Sequence, residues 1–155
     1  MNPKEKIAMT FDYLFGKGVS AALPLDRLEV SYSKRTGKIK TVNLDGRLLA
    51  TFRSDGGVAL TINGAEMLIR HPAFIQNCIV VERGVDELIA SGRSVFAKHV
   101  TRCGDRIRPG AEVAVLDEDG RVIAVGKAIL SAKMMRSFKV GVAVKVREGV
   151  KQRKM

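Results

Sequence analysis

Lys98 and His99 stand side by side, and Cys103 and Asp105 follow within the next six residues. A thiolate within hydrogen-bond reach of an imidazole is the minimal apparatus of a cysteine nucleophile. Here, alternation along a strand would send His99 and Val100 to opposite faces, and no oxyanion-binding element accompanies the pair. A small cysteine enzyme using His99 and Cys103 is therefore the minor alternative. Cys78 and Cys103 have only His71 and His99 as companions, and their spacing is not that of a zinc site. The acidic run Asp117-Glu118-Asp119 lacks the spaced ligands of a calcium loop, and with Gly120 it fits a turn between strands. Gly16-Lys17-Gly18 lacks the remaining spacing of a dinucleotide or phosphate loop. No metal, cofactor or catalytic residue is expected, and the chain reads as non-catalytic.

The charge is more informative. Over 155 residues, 27 Lys and Arg oppose 16 Asp and Glu, a formal charge of +11 with a sequence pI near 10.1. Such an excess favours a polyanionic partner, because each neutralised phosphate releases condensed counterions. The charge is also concentrated. Between residues 133 and 154, Lys133, Arg136, Lys139, Lys145, Arg147, Lys151, Arg153 and Lys154 face Glu148 as the one acid. A second crowd lies in "SKRTGKIK", where Lys34, Arg35, Lys38 and Lys40 share one turn and repel one another unless an anion is near. A solvated turn and a phosphate contact both fit that crowd. Aromatic residues make up 5% of the chain and tryptophan is absent, so stacking platforms for single-stranded bases are poorly supplied. Recognition by shape and phosphate is expected.

These residues need elements to hold them. Ile7, Phe11, Leu14 and Phe15 recur at helical spacing across residues 4–15, with Gly16 and Gly18 as the stop. The segments "LEVSYS", "IKTVNL", "LLATF" and "VALTI" then read as strands separated by turns, of which Asp45-Gly46 is the strongest hairpin signal. "GAEMLIR" predicts a closing helix over 64–70, ended by Pro72. The second half restarts with the strand "CIVVE" and a helix over 84–91. Val85, Leu88 and Ile89 form that helix's expected buried stripe, and Gly92 takes the left-handed position at its end. "SVFAKHV", "AEVAVLD", "RVIAVGKAILS" and "GVAVKVR" follow as strands, with no covering helix foreseen near the end. The expected architecture is an α+β N-terminal domain, an antiparallel meander with flanking helices (1–75), followed by a small mixed β pseudo-barrel (76–155). The charged N-terminus is not a signal peptide and no apolar run spans a membrane, so two reduced thiols in a cytoplasmic protein are expected. The apolar face of the first helix leaves a homo-oligomer open.

Residues 78–150 resemble the PUA domain, the pseudo-barrel of pseudouridine synthases and archaeosine transglycosylases. The helix ending at Gly92, "VFAKHV", "RPG" at 108–110, "DEDG", "AVGKA" and "GVAVKV" carry the likeness in order. The first half, "FGKGV…RLEVSYSKRTGKIKTV…GRLLATFRSDGG…GAEMLI", resembles the domain preceding PUA in archaeosine tRNA-guanine transglycosylase. The large catalytic barrel with its zinc site is missing from this sequence. The resemblance implies tRNA binding at the acceptor stem and 3′ end, in partnership with a separately encoded catalytic transglycosylase subunit. An RNA-binding role in translation or ribosome assembly is the alternative. Carried onto this chain, it implies that Gly92 lets RNA backbone approach closely, that Arg93 and Ser94 offer donors beside it, and that Lys98 and His99 meet phosphate or ribose. Lys145 and Arg147 on the last strand would lie alongside, and Lys34, Arg35 and Lys38 would add contacts from the first half. One departure stands out: the family commonly has an acid after "RPG" that orders a turn, where this chain has Ala111 with Glu112 next, so the local geometry there is expected to differ more than RNA binding.

Overall fold

The computed structural model describes residues 2–152, which form two compact units dividing between Phe74 and Ile75. In the first unit, helix α1 (Pro3–Phe15) starts where Asn2 Oδ1 accepts the Glu5 N–H at 2.8 Å and Pro3 takes the first helical position. Its stripe of Ile7, Phe11 and Phe15 is buried, with ring centroids 5.7 Å apart for Phe11–Phe15 and 5.6 Å for Phe15–Phe74. Beneath it runs an antiparallel meander in sequential order: β1 (Glu29–Tyr32), β2 (Ile39–Leu44), β3 (Arg47–Phe52) and β4 (Val58–Leu60). Asp45 (φ 50°) and Gly46 (φ 78°) close the β2–β3 hairpin with positive φ at both central positions, as the twist-matched two-residue turn requires. Helix α2 (Ile62–Leu68) ends the unit's regular structure, and Val42, Leu60, Ile62 and Leu68 fill the core with the aromatic rings.

The second unit is a six-stranded pseudo-barrel in the order β6-β10-β9-β8-β5-β7. Its strands are β5 (Cys78–Val81), β6 (Val95–Phe96), β7 (Val100–Cys103), β8 (Glu112–Leu116), β9 (Val122–Ala128) and β10 (Val142–Gly149), with helices α3 (Asp86–Ala90) and α4 (Ala132–Ser137). β5 pairs with β8 in parallel, and all other pairs are antiparallel. Ile79, Val95, Val113, Val115, Ala143, Val144 and Met135 are among the residues of its buried apolar interior. Such β-branched packing is what the near-continuous apolar runs of β5 and β8 are suited to.

Several expectations are corrected. "VALTI" is not a strand to its end: Thr61 Oγ1 accepts the Gly64 N–H at 3.1 Å, so α2 begins at Ile62 and stops at Leu68. "SVFAKHV" is broken, with a 3₁₀ turn at Ala97–His99 separating β6 from β7. Leu88 is exposed, and α3 buries Ile89 and Ala90 instead. Helix α4 was not foreseen. It starts at Ser131, whose Oγ accepts the Met134 N–H at 3.2 Å, and it buries Ala132 and Met135. The Ile7, Phe11 and Phe15 stripe of α1 is covered by its own unit, while Met9 and Tyr13 on the same helix are exposed. No described helix is long and apolar enough to cross a membrane.

Candidate nucleic-acid interface

α3 ends at the residues expected to meet RNA. The Gly92 N–H donates to the Ile89 carbonyl at 3.0 Å and the Arg93 N–H to that of Leu88 at 3.1 Å, with Gly92 at φ 110°. Only glycine takes this conformation without strain. The space a Cβ would fill is occupied by the Gln152 side chain, whose Nε2 would lie 2.4 Å away. Gln152 is held there by the Gly149 N–H, which donates to its Oε1 at 3.0 Å. Arg93 is exposed, while Ser94 is half-buried and its Oγ accepts the Val146 N–H at 3.3 Å. Lys98 projects from the 3₁₀ turn, exposed and without an ion pair among the described residues. His99 is turned back on the barrel: its Nδ1 lies 2.8 Å from Glu82 Oε1, and the Glu82 N–H donates to the His99 carbonyl at 3.1 Å.

On the outer face of β8–β10, Glu112, Lys127 and Lys145 stand in one cross-strand row. Lys127 and Lys145 are exposed and directly opposed, an arrangement that costs free energy unless an anion relieves it. Arg147 is the extra residue of a bulge, since Val146 faces Gly126 and Glu148 faces Val125. The bulge brings β10 so close that a Cβ on Gly126 would sit 2.1 Å from the Lys145 carbonyl oxygen. Thus re-aimed, Arg147 reaches Glu112 in a two-pronged pair, Nη1 to Oε1 at 3.1 Å and Nη2 to Oε2. The Glu112 side chain is 3% exposed and Arg147 38%. Glu112 is the buried partner of a cation expected to meet RNA.

The same economy runs through the C-terminal basic run. Arg136 pairs with Asp105 at 2.7 Å, which with the nearby Cys103 side chain holds its guanidinium charge more firmly than usual, its Nη2 also donates to the Cys103 carbonyl at 2.7 Å, and Lys151 pairs with Glu87. Lys133, Lys139 and Lys145 form no ion pair among the described residues, and Arg153 and Lys154 lie outside them. In the first unit, Arg35 and Lys38 line a cleft of about 390 Å³ together with Lys6, Lys40 and Arg53, and Lys34 is exposed in the same turn without lining it. Lys6 and Arg53 were missed because they reach the cleft from α1 and the end of β3, far in sequence from the basic turn.

His99 and Cys103 do not hydrogen-bond to one another. The Cys103 thiol contacts the Ala132 carbonyl at 3.6 Å, and His99 is committed to Glu82. Burial pushes the Cys78 thiol well above its usual range, which suits a core residue rather than a nucleophile. No group of three or more metal-ligating side chains is gathered among the described residues.

Comparison with known proteins agrees with this architecture. Residues 77–150 match the PUA domain, and residues 5–73 match the patch-forming domain C2 of tRNA-guanine transglycosylase. The tRNA-guanine(15) transglycosylase of Methanobrevibacter smithii is 34% identical over 149 residues, 96% of this chain and 23% of that protein. That of Thermoplasma acidophilum is 38% identical over 148 residues, 93% and 23% of the respective chains. The chain thus spans under a quarter of the length of these curated relatives. Among solved structures, a hypothetical protein of Pyrococcus horikoshii superposes with a TM-score of 0.73 at 22% identity, covering 94% of this chain and 89% of that one. A conserved PUA domain protein of Thermoplasma acidophilum gives 0.66 at 20% identity, covering 96% and 91%. These likenesses show the fold. The chain thus carries a C2 domain of the tRNA-guanine transglycosylase type over residues 5–73, followed by a PUA domain over residues 77–150.

Proposed function

We propose that this chain is a non-catalytic, cytoplasmic RNA-binding protein that grips tRNA at the acceptor stem and 3′ end. The observation that carries the reading is the identity to tRNA-guanine(15) transglycosylases along 96% of this chain. The uncompensated cations around α3 and β10 support it physically. Exposed Arg93 and Lys98 follow Gly92 in the chain, and opposed Lys127 and Lys145 add positive charge on β9 and β10 for phosphate contact. Gln152 swings aside so that RNA backbone can approach Gly92. Ser94 and His99 act from behind this surface by fixing β10 and the 3₁₀ turn, and Arg147 acts through its pair with Glu112. Recognition is of shape and backbone, in keeping with the deep, unreadable major groove of paired RNA. Lys34, Arg35 and Lys38 contribute phosphate contacts from the first unit.

The catalytic work belongs to a partner, a transglycosylase subunit that exchanges the base while this chain holds the tRNA. Lys98→Ala tests the binding half: tRNA affinity falls by about 0.5–2 kcal/mol, the range for a charge-assisted contact, with the fold unchanged by circular dichroism. Unaltered affinity would place Lys98 among solvated strand ends. Co-purification of the tagged chain with a barrel-bearing transglycosylase tests the partner half. A stable complex supports it, and tRNA binding with no such complex favours a role in translation or ribosome assembly.

A further inference from the structure

The cleft of the first unit has the character of a built anion site. Lys6 enters it from α1, Arg35, Lys38 and Lys40 from the β1–β2 turn and the start of β2, and Arg53 from the end of β3. No carboxylate is among its lining residues. Among the five, Arg53 holds the buried donor that lacks an acceptor. Its Nε is removed from solvent with no hydrogen-bond acceptor, and the nearest carboxylate oxygen, Asp55 Oδ1, is 3.9 Å away, beyond hydrogen-bond reach. A buried donor without an acceptor is destabilising, more so when the group is charged, so an anion in the cleft is expected to draw the guanidinium toward it. Gly57 makes room for this geometry, since a Cβ there would stand 3.1 Å from Arg53 Nη2 and 3.3 Å from Nε. Hydroxyl donors are also at hand. Ser33 Oγ and Thr36 Oγ1, both on the cleft wall, accept main-chain N–H groups at 3.3 Å and keep their protons for a ligand.

We propose that this cleft is a discrete binding site for a phosphate group carrying two or more negative charges, with Arg53 as its central ligand and Arg35 and Lys38 closing over it. Five cations against the single nearby carboxylate of Asp55 match a phosphomonoester or pyrophosphate better than a singly charged phosphodiester. The planar guanidinium of Arg53 supplies the directed pairing that a lysine cannot. Such a group can come from the 5′ end of an RNA or from a small phosphorylated molecule. The site stands on the cleft alone and does not depend on RNA binding by the second unit.

The test titrates the full-length, ¹⁵N-labelled chain with inorganic pyrophosphate at constant ionic strength. Saturable, one-to-one shifts are expected at the amides of Thr36, Ser54, Gly56 and Gly57. Arg53→Gln is expected to weaken binding at least fivefold, and Lys38→Gln, on an exposed turn that cannot unfold the unit, at least twofold. Arg53→Lys, which keeps the charge but loses the fork, should fall with Arg53→Gln. Shifts that never saturate, or an Arg53→Gln affinity within twofold of wild type, would overturn the site. A pair of oligoribonucleotides differing only in a 5′-phosphate identifies the source. Tighter binding of the phosphorylated one, displaced by pyrophosphate, assigns an RNA end, whereas equal binding of the two beside a saturating pyrophosphate isotherm assigns a small phosphorylated molecule. Lys98→Ala leaves the pyrophosphate isotherm unchanged, so failure of the RNA reading and failure of this site give different results.

Discussion

Replacing Arg147 with methionine separates a cation that holds the barrel from one that holds RNA. Two charges about 4 Å apart at an effective dielectric of 20 attract by about 4 kcal/mol. Arg147 is 38% exposed, so solvent screens roughly half of that, whereas Glu112 at 3% exposure has no water to fall back on. Arg147→Met therefore leaves a buried carboxylate without its cation, at an expected cost of about 2–3 kcal/mol to the second unit. For a unit of roughly 80 residues this lowers Tm by about 10–20 °C. The assay is native-state hydrogen exchange of the amides in β8, β9 and β10, which reports this unit independently of the first. Adding Glu112→Gln to Arg147→Met removes the stranded charge and recovers at least about 1 kcal/mol. A loss below about 0.5 kcal/mol in the single variant, or no recovery in the double, would refute the assignment of Arg147 to the fold.

Two further outcomes follow from the same geometry. Gln152→Ala uncovers Gly92 and removes the hydrogen bond that a bound RNA must displace, so tRNA affinity in a filter-binding assay rises by about twofold to tenfold, the equivalent of one ordinary hydrogen bond; a fall would mean that Gln152 itself touches the RNA. Burial raises the Cys78 thiol pKa from its ordinary 9.0, so the stability due to this difference is present below about pH 9 and is lost above it, as the unfolded chain releases a proton that the folded chain keeps. The stability difference between wild type and Cys78→Ala should therefore narrow by up to about 1.4 kcal/mol per pH unit above that point in thermal melts, and a constant difference would contradict the burial.

Features governed by neighbours in the chain were legible. The Asp45-Gly46 hairpin, the stripe of α1 and the glycine ending α3 each depend on two to a dozen residues, and the motifs from Gly92 to "GVAVKV" fixed the barrel type. Helix α4 was hidden because it is six residues long and follows a β-run with no break stronger than Ser131. The interrupted strand at Ala97–His99 has β-prone residues throughout, and the turn is imposed by pairing, with the Ala97 N–H donating to the Gly141 carbonyl at 2.8 Å. Charge was the least readable property. Glu112–Arg147, Asp105–Arg136 and Glu87–Lys151 join residues 31 to 64 positions apart, so a basic run in the sequence becomes a partly neutralised surface. The Lys127–Lys145 opposition and the gathering of Lys6 and Arg53 with Arg35 and Lys38 likewise exist only once strands and helix are paired.

The most direct measurement of the central proposal is tRNA affinity against salt concentration, with the 3′ end intact and with it trimmed. If Arg93, Lys98, Lys127 and Lys145, together with Lys34, Arg35 and Lys38, each neutralise a phosphate, log K falls against log salt with a slope of roughly −5, about 1000-fold between 50 and 200 mM. The account predicts that slope for intact tRNA, and a clear drop in affinity when the 3′ end is removed. A slope shallower than about −1, or equal affinity for intact and trimmed tRNA, would contradict a PUA-type grip on the acceptor end.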